Sequence, residues 1–235
     1  MKTDPETDPE TDPRAAPLAA GASAWSGEGF AEPSPRTYDA IMWPAEKLLA
    51  RRWRRRLYGA VGAGDGLGGA APRVLEIGAG TGAGFAFYPA GVAVVAVEPS
   101  VAMAARARER AGRAAAEVEV LDARAEELPF ADGSFDCVIA TLTWCSVADP
   151  RAAFAEVHRV LRPRGRLLLL EHVHARWQPA RRLQSLAAPA WRRVAQGCRL
   201  DQDTVGLLTE ARFAVERRRD HLLGWVVELQ ARRAG

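Results

Sequence analysis

The chain has 235 residues, 48% of them hydrophobic, which suits one domain with a sizeable core and a tail. Lys and Arg number 32 against 29 Asp and Glu, a formal charge of +3, and the small excess is spread along the chain. That excludes a concentrated nucleic-acid-binding face, and the absence of any apolar run of about 18 residues excludes a transmembrane helix.

The opening, MKTDPETDPETDP, is polar and proline-rich, without the apolar segment of a secretory signal. A cytoplasmic protein is expected. TDPE repeats at 3–6 and 7–10 and TDP at 11–13, so residues 1–36 read as a disordered tail and 37–235 as the domain. A helical cap begins near Tyr38. Ile41, Leu48, Leu49 and Trp53 give a partial apolar stripe, and 38–58 reads as one or two helices. Within it, Arg51, Arg52, Arg54, Arg55 and Arg56 read as a solvated helix face, with peripheral membrane contact as the sharper alternative. Residues 61–72 are a glycine-rich linker.

From Arg73 the pattern is regular. RVLEIG is an apolar run of the kind a strand buried on both faces shows. GAGTGAGF is a turn into a helix, and VAVVAVE a second strand. SVAMAARARERAGR is a helix capped by Ser100. EVEVLDA and FDCVIATLT are the third and fourth strands. DPRAAFAEVHRVLRP is a helix with Asp149 as cap and Pro150 in its first turn. RGRLLLLEHV is the fifth strand, 175–212 is mostly helical, and FAVERRRD and WVVELQARR are two closing strands linked near Leu222 to Gly224. Strand–helix alternation with short connections predicts an α/β doubly wound sheet, mostly parallel, with an antiparallel C-terminal edge strand.

The chemistry concentrates where the first strand ends, at Glu76, Gly78, Gly80, Gly82 and Gly84. Glycines there let the backbone turn tightly and approach a ligand. Twenty residues beyond Gly78 stands Glu98, at the tip of the second strand, where a carboxylate can accept from two ribose hydroxyls. The turn also fits the dinucleotide pattern. Glu76, close to the loop, would repel a pyrophosphate and suit a cationic amino-acid end, which favours a methyl donor over NAD.

VLEIGAGTG, VEPS, AEELPFADGSFDCVIA and HRVLRPRGRLLLLEHV, in that order, resemble the class I S-adenosylmethionine-dependent methyltransferases. The resemblance covers roughly 73–174 and implies a Rossmann-like fold, S-adenosyl-L-methionine as cofactor and a small-molecule methyl acceptor as partner. By it, Glu76, Gly78, Gly80 and Gly82 line the methionine end, and Glu98 holds the ribose. Pro99 packs near the adenine, and Ala125 and Glu126 meet its edge. Thr141 and Leu142 flank the methionine, and Tyr38 closes over the cofactor. Arg124 stands where many relatives carry Asp, so backbone contact at Ala125 is the expected adenine contact.

FAFYPAG, TLTWCSV and EHVHARW look similar to the methyltransferase-like alkyl-thiol methyltransferases, which act on small thiols and hydrogen sulfide. Their animal members carry an N-terminal hydrophobic segment that this chain lacks. A thiol must lose its proton before it attacks. His172, at the end of the fifth strand and so on the ligand side of the sheet, is the expected base. Cys137, Cys145 and Cys198 are odd in number and form no CxxC pair, so reduced thiols and no metal site are expected. Three readings remain beside thiol methylation: a quinone or lipid methyltransferase, an NAD-dependent oxidoreductase, and a binding module that kept the fold.

Overall fold

The structure, a computed structural model, describes residues 34–62, 71–175, 177–194, 198–200 and 202–234. Residues 1–33 of the expected tail and 63–70 of the expected linker lie outside these residues. The first described element is α1 (Pro35–Ala45), whose first two residues fall in the stretch expected to be tail. Ser34 caps it by accepting the Thr37 N–H, and Pro35 begins it where no backbone donor is needed. Pro44 lacks an N–H, and a π turn at Glu46–Ala50 follows it before α2 (Arg51–Gly59).

The basic run is less solvated than its composition suggests. Arg51, Arg52 and Arg55 are exposed, but Arg54 is buried and pairs with Glu46 at 3.3 Å. The Arg56 Nε donates to both oxygens of Glu228, at 3.0 and 2.9 Å.

The strands are β1 (Arg73–Ile77), β2 (Ala93–Val97), β3 (Glu117–Leu121), β4 (Phe135–Thr141), β5 (Leu161–His172), β6 (Phe213–His221) and β7 (Val226–Arg233). They form one sheet in the order β3-β2-β1-β4-β5-β7-β6. Strands β1 to β5 are parallel, as the strand–helix alternation predicts; β7 runs antiparallel to β5 and β6. The C-terminal strands form the expected antiparallel edge: β7 lies between β5 and β6, and β6 is outermost. The helices of this part are α3 (Val101–Ala111), α4 (Pro150–Val160), α5 (Gln178–Val194) and α6 (Thr204–Glu210). The helix expected after the glycine loop is absent. Only a 3-10 turn at Phe85–Phe87 stands there, in a segment broken by four glycines and Pro89.

Alternation along the strands divides the core in two. Leu75, Ile77, Val138, Ala140, Leu167 and Leu169 face α4, with Phe154 and Trp144 packed among them. Val74, Ile139, Leu168 and Leu170 face Leu57 and Tyr58 of α2 and Ala104 and Ala107 of α3. Full burial of each large aliphatic side chain contributes about 1.5–3 kcal/mol.

Glu76 breaks this apolar pattern. By strand parity it shares the face of Val74, and it is only 1% exposed. Tyr58 donates to its Oε1 at 2.7 Å and Tyr88 to its Oε2 at 2.8 Å. Burial pushes its carboxyl pKa up, and the two phenols and Arg54 pull it back. Tyr58 comes from α2, so this bond anchors the N-terminal cap to the sheet. Removing it in Tyr58→Phe leaves a buried carboxylate oxygen unpaired. A loss of about 1–3 kcal/mol is expected in urea unfolding; an unchanged unfolding midpoint would show that Glu76 does not depend on this phenol.

Candidate active site

The carboxyl ends of β1, β2 and β4 open into a cleft, as they must in an open α/β sheet. It is lined by Gly78 and Gly80 after β1, Glu98 and Pro99 after β2, Ala125 and Glu126 after β3, and Leu142 and Thr143 after β4. Tyr38 of α1 closes one side. Eight residues expected at the cofactor therefore come together: Tyr38, Gly78, Gly80, Glu98, Pro99, Ala125, Glu126 and Leu142. Ser100, Met103, Ser146, Val147 and Ala148 also line the cleft, where none of them was expected.

Glu98 is held by backbone. The Gly80 N–H donates to its Oε2 at 2.8 Å and the Ser100 N–H to its Oε1 at 3.0 Å. It is 8% exposed at the cleft wall, an acceptor with room for several hydroxyl donors. Gly80 sits at φ +56°, and a Cβ there would meet nothing within 4 Å, so the loop leaves open space beside the carboxylate. The residues fit a ligand that carries a diol. Glu126 accepts from the backbone of Ala148 and Asp149 at 3.1 and 3.3 Å, fixing the opposite rim. The Tyr38 phenol pKa is pushed up by burial and pulled down by Arg54.

Leu142 lies in the left-handed region at φ +59°, a conformation that costs a leucine about 1–2 kcal/mol. It persists because its N–H bonds Leu170 O at 2.7 Å and the next residue is locked. The Thr143 N–H donates to Glu171 at 2.9 Å, and its hydroxyl to Ile77 O at 3.1 Å.

The remaining expected residues are placed elsewhere. Glu76 does not reach the cleft, because parity turns it to the opposite face, where both oxygens are held by tyrosines. The like-charge argument that set the methyl donor above NAD loses its basis here. Thr141 follows the same parity and faces the Tyr58 side. Gly82 lies against Phe85 and the backbone of Ala107, at φ +77°. His172 does not line the cleft; its Nδ1 faces the sulfurs of Cys198 at 3.5 Å and Cys145 at 3.9 Å. The cysteine sulfurs are 3.1 Å apart. Glu171, beside it, is fully buried and its carboxyl is pushed up to about 7, against the pull of the Thr143 and Trp144 amides.

Sequence reasoning missed the latch that holds the cap. Asp39 of α1 accepts from the Thr81 hydroxyl at 2.7 Å and from Arg110 of α3 at 2.6 Å. Arg110 also donates to Thr81 O at 3.0 Å. The glycine loop is thus pinned from both helices, next to Tyr38.

A methyltransferase-domain family model matches residues 75–169. The human thiol S-methyltransferase TMT1B is 34% identical over 183 residues, 74% of this chain and 73% of that protein. The chain belongs to the class I S-adenosylmethionine-dependent methyltransferases. The demethylmenaquinone methyltransferase of Renibacterium salmoninarum is 38% identical over 153 residues, 65% of this chain and 60% of that enzyme. The chain therefore spans about three-fifths of that relative. Among solved structures, the geranyl diphosphate C-methyltransferase of Streptomyces coelicolor A3(2), bound to S-adenosyl-L-homocysteine, shares the fold. It has a TM-score of 0.62 at 15% identity and covers 94% of this chain and 95% of that one. No helix among the described residues is long and apolar enough to cross a membrane.

A Cβ on Gly78 would stand 2.2 Å from Thr143 Cγ2, at φ +65°. Gly78→Ala is expected to lower the melting temperature and to cost more than the about 1–2 kcal/mol of left-handed strain alone. Adding Thr143→Ala should recover part of the loss, since it relieves the clash but not the strain. Full recovery would show that φ strain is negligible here.

Proposed function

We propose that this chain transfers a methyl group from S-adenosylmethionine, held in the cleft at Glu98, to the sulfur of a small thiol. The observation that carries the donor site is the Glu98 carboxylate, clamped by the Gly80 and Ser100 amides at 2.8 and 3.0 Å. In this reading it accepts from the ribose hydroxyls. Gly78 and Gly80 let the backbone come close to the methionine end, and Leu142 flanks it. Ala125 offers backbone to the adenine edge, with Pro99 packed nearby. Tyr38, fixed by the Asp39 latch, covers the cleft and limits water. When bound, the sulfonium supplies an already activated methyl group. The protein then contributes alignment and exclusion of solvent.

The thiol acceptor is supported by the named activity of TMT1B and by the residues at the far side of Thr143. His172 is the residue assigned to activation of the acceptor. Its imidazole lies against two cysteine sulfurs and, edge-on, against Trp191 at 6.1 Å. A quinone acceptor is the second reading, favoured by the demethylmenaquinone methyltransferase relative.

Calorimetric titration with S-adenosylmethionine tests the donor site. Glu98→Ala should weaken binding by about 10- to 150-fold, the range for a charged hydrogen-bonded group, with circular dichroism unchanged. Equal affinity in the variant would sink the ribose assignment. With donor present, a small alkyl thiol should release S-adenosylhomocysteine; release with a demethylated quinone and none with thiols would replace the acceptor.

A further inference from the structure

Three soft donors converge just beyond the cleft. Cys145 lies in the 3-10 turn Trp144–Ser146 after β4, His172 ends β5, and Cys198 stands between α5 and α6. Their ligand atoms all lie within 4.8 Å of one another. Cys145 is 1% exposed and Cys198 is 5% exposed, while His172 is partly buried. The segment that carries Cys198 is sewn to the strand ends. The Arg199 N–H donates to Cys145 O at 2.8 Å, and the Gln202 side chain to Trp144 O at 2.9 Å. Gln184 of α5, fully buried, donates to both Val173 O and Leu200 O, at 2.8 and 2.7 Å. The approach of the cysteines is therefore built into the fold.

We infer that Cys145, His172 and Cys198 are three protein ligands of a zinc ion, whose fourth position is open to a thiolate. A tetrahedral zinc at its usual bond lengths holds two sulfurs about 3.8 Å apart and a sulfur and a nitrogen about 3.6 Å apart. The observed separations are 3.1 Å between sulfurs and 3.5 and 3.9 Å from sulfur to nitrogen. A disulfide instead needs about 2.05 Å. Two cysteines and a histidine are zinc's preferred donors, and three protein ligands are the mark of a site with an exchangeable position. A second observation points to a cation. Glu171 is fully buried beside His172, and its Oε2 has no hydrogen-bond partner among the described residues. The expectation of no metal site rested on the absence of a CxxC pair; here the cysteines are 53 residues apart and meet only through the sheet.

The role of the metal rests on the thiol-acceptor reading. An acceptor thiol that takes the fourth position forms a sulfur–zinc bond and gives its proton to solvent. Its sulfur then attacks the methyl carbon. The carbon–sulfur bond of the donor breaks with its electron pair returning to the donor sulfur. The product thioether, uncharged, leaves the zinc. His172 then acts as a ligand through Nδ1, not as the base that takes the proton.

The test uses the full chain and two readouts that need no turnover. Metal analysis of protein grown with zinc should give about one zinc per chain. The Cys145→Ala/Cys198→Ala variant should lose it while still binding S-adenosylmethionine. Should that variant fail to fold, cobalt(II) substitution of the wild type decides: intense thiolate-to-cobalt absorption and tetrahedral d–d bands are expected. Wild-type protein that holds neither metal, or a native mass two hydrogens low from a Cys145–Cys198 disulfide, would overturn the site. A small alkyl thiol should shift the cobalt spectrum. Bound metal whose spectrum ignores thiols would confirm the site and overturn its acceptor role, separating that failure from failure of the donor assignment.

Discussion

A carboxylate buried in the middle of the sheet is the constraint on which the rest depends. Glu76 has to be paired or protonated, because an isolated charge in an apolar core costs several kcal/mol. Its partners arrive from two separate segments, Tyr58 on α2 and Tyr88 beyond the 3-10 turn. The phenols themselves are pushed well above their usual pKa by burial, with the Glu76 charge as the next cause, so both stay donors. The pairing draws α2 onto the sheet, and α2 carries α1 with it. Gly84 answers to the same contact: a Cβ there would stand 2.0 Å from the Tyr58 oxygen and 2.9 Å from Glu76 Oε1. One glycine of the loop is thus required by a hydrogen bond behind the sheet, not by a ligand.

The other glycines divide in the same way. Gly78 makes room for Thr143, whose hydroxyl ties β4 to the end of β1. Gly82 makes room for Phe85 and for α3. Only Gly80 faces open space, and its N–H is the donor that orients Glu98. Most of the loop's glycines therefore answer to packing, and Gly80 alone of the four leaves open space beside Glu98. The loop's shape is transmitted to the cap by Thr81 and Asp39 and to α3 by Arg110. Loss of one of these hydrogen bonds costs roughly 0.5–1.5 kcal/mol, enough to loosen Tyr38 without unfolding the sheet.

Local pattern explains which parts were legible in the sequence. Strand runs, the Ser100 and Asp149 caps and the spacing from Gly78 to Glu98 are short-range features, and each leads to the observed element. Strand parity was readable too. Val74 and Leu75 fall on opposite faces, which puts Glu76 on the Val74 side, and Thr141 follows Cys137 and Ile139 of β4 onto that same side. The expected roles for Glu76 and Thr141 came from motif position, which does not report the face. The helix expected after the loop failed because the local glycine density outweighs the apolar spacing there. Asp39 with Arg110, and Cys145 with Cys198, were illegible for a different reason. They meet only after the sheet has folded, and nothing near either partner signals the other.

Methyl transfer from a sulfonium places few demands on the donor side. The leaving group is good, so in the proposed reading alignment by Glu98, Gly80 and the covering tyrosine supplies most of what that half of the reaction needs. With the proposed thiol acceptor the difficulty lies with the nucleophile, since a free thiol near neutral pH is mostly protonated. The site proposed to meet it stands next to the cleft. β4 is followed by Leu142 and Thr143 on the cleft wall and two residues later by Cys145, while β5 ends in His172 at the same end of the sheet. The strained Leu142 backbone stands at the turn between these two environments. It leads the chain from the cleft wall to Cys145, whose sulfur faces Cys198 and His172. Its left-handed φ is held by the Leu170 carbonyl on one side and the locked Thr143 on the other.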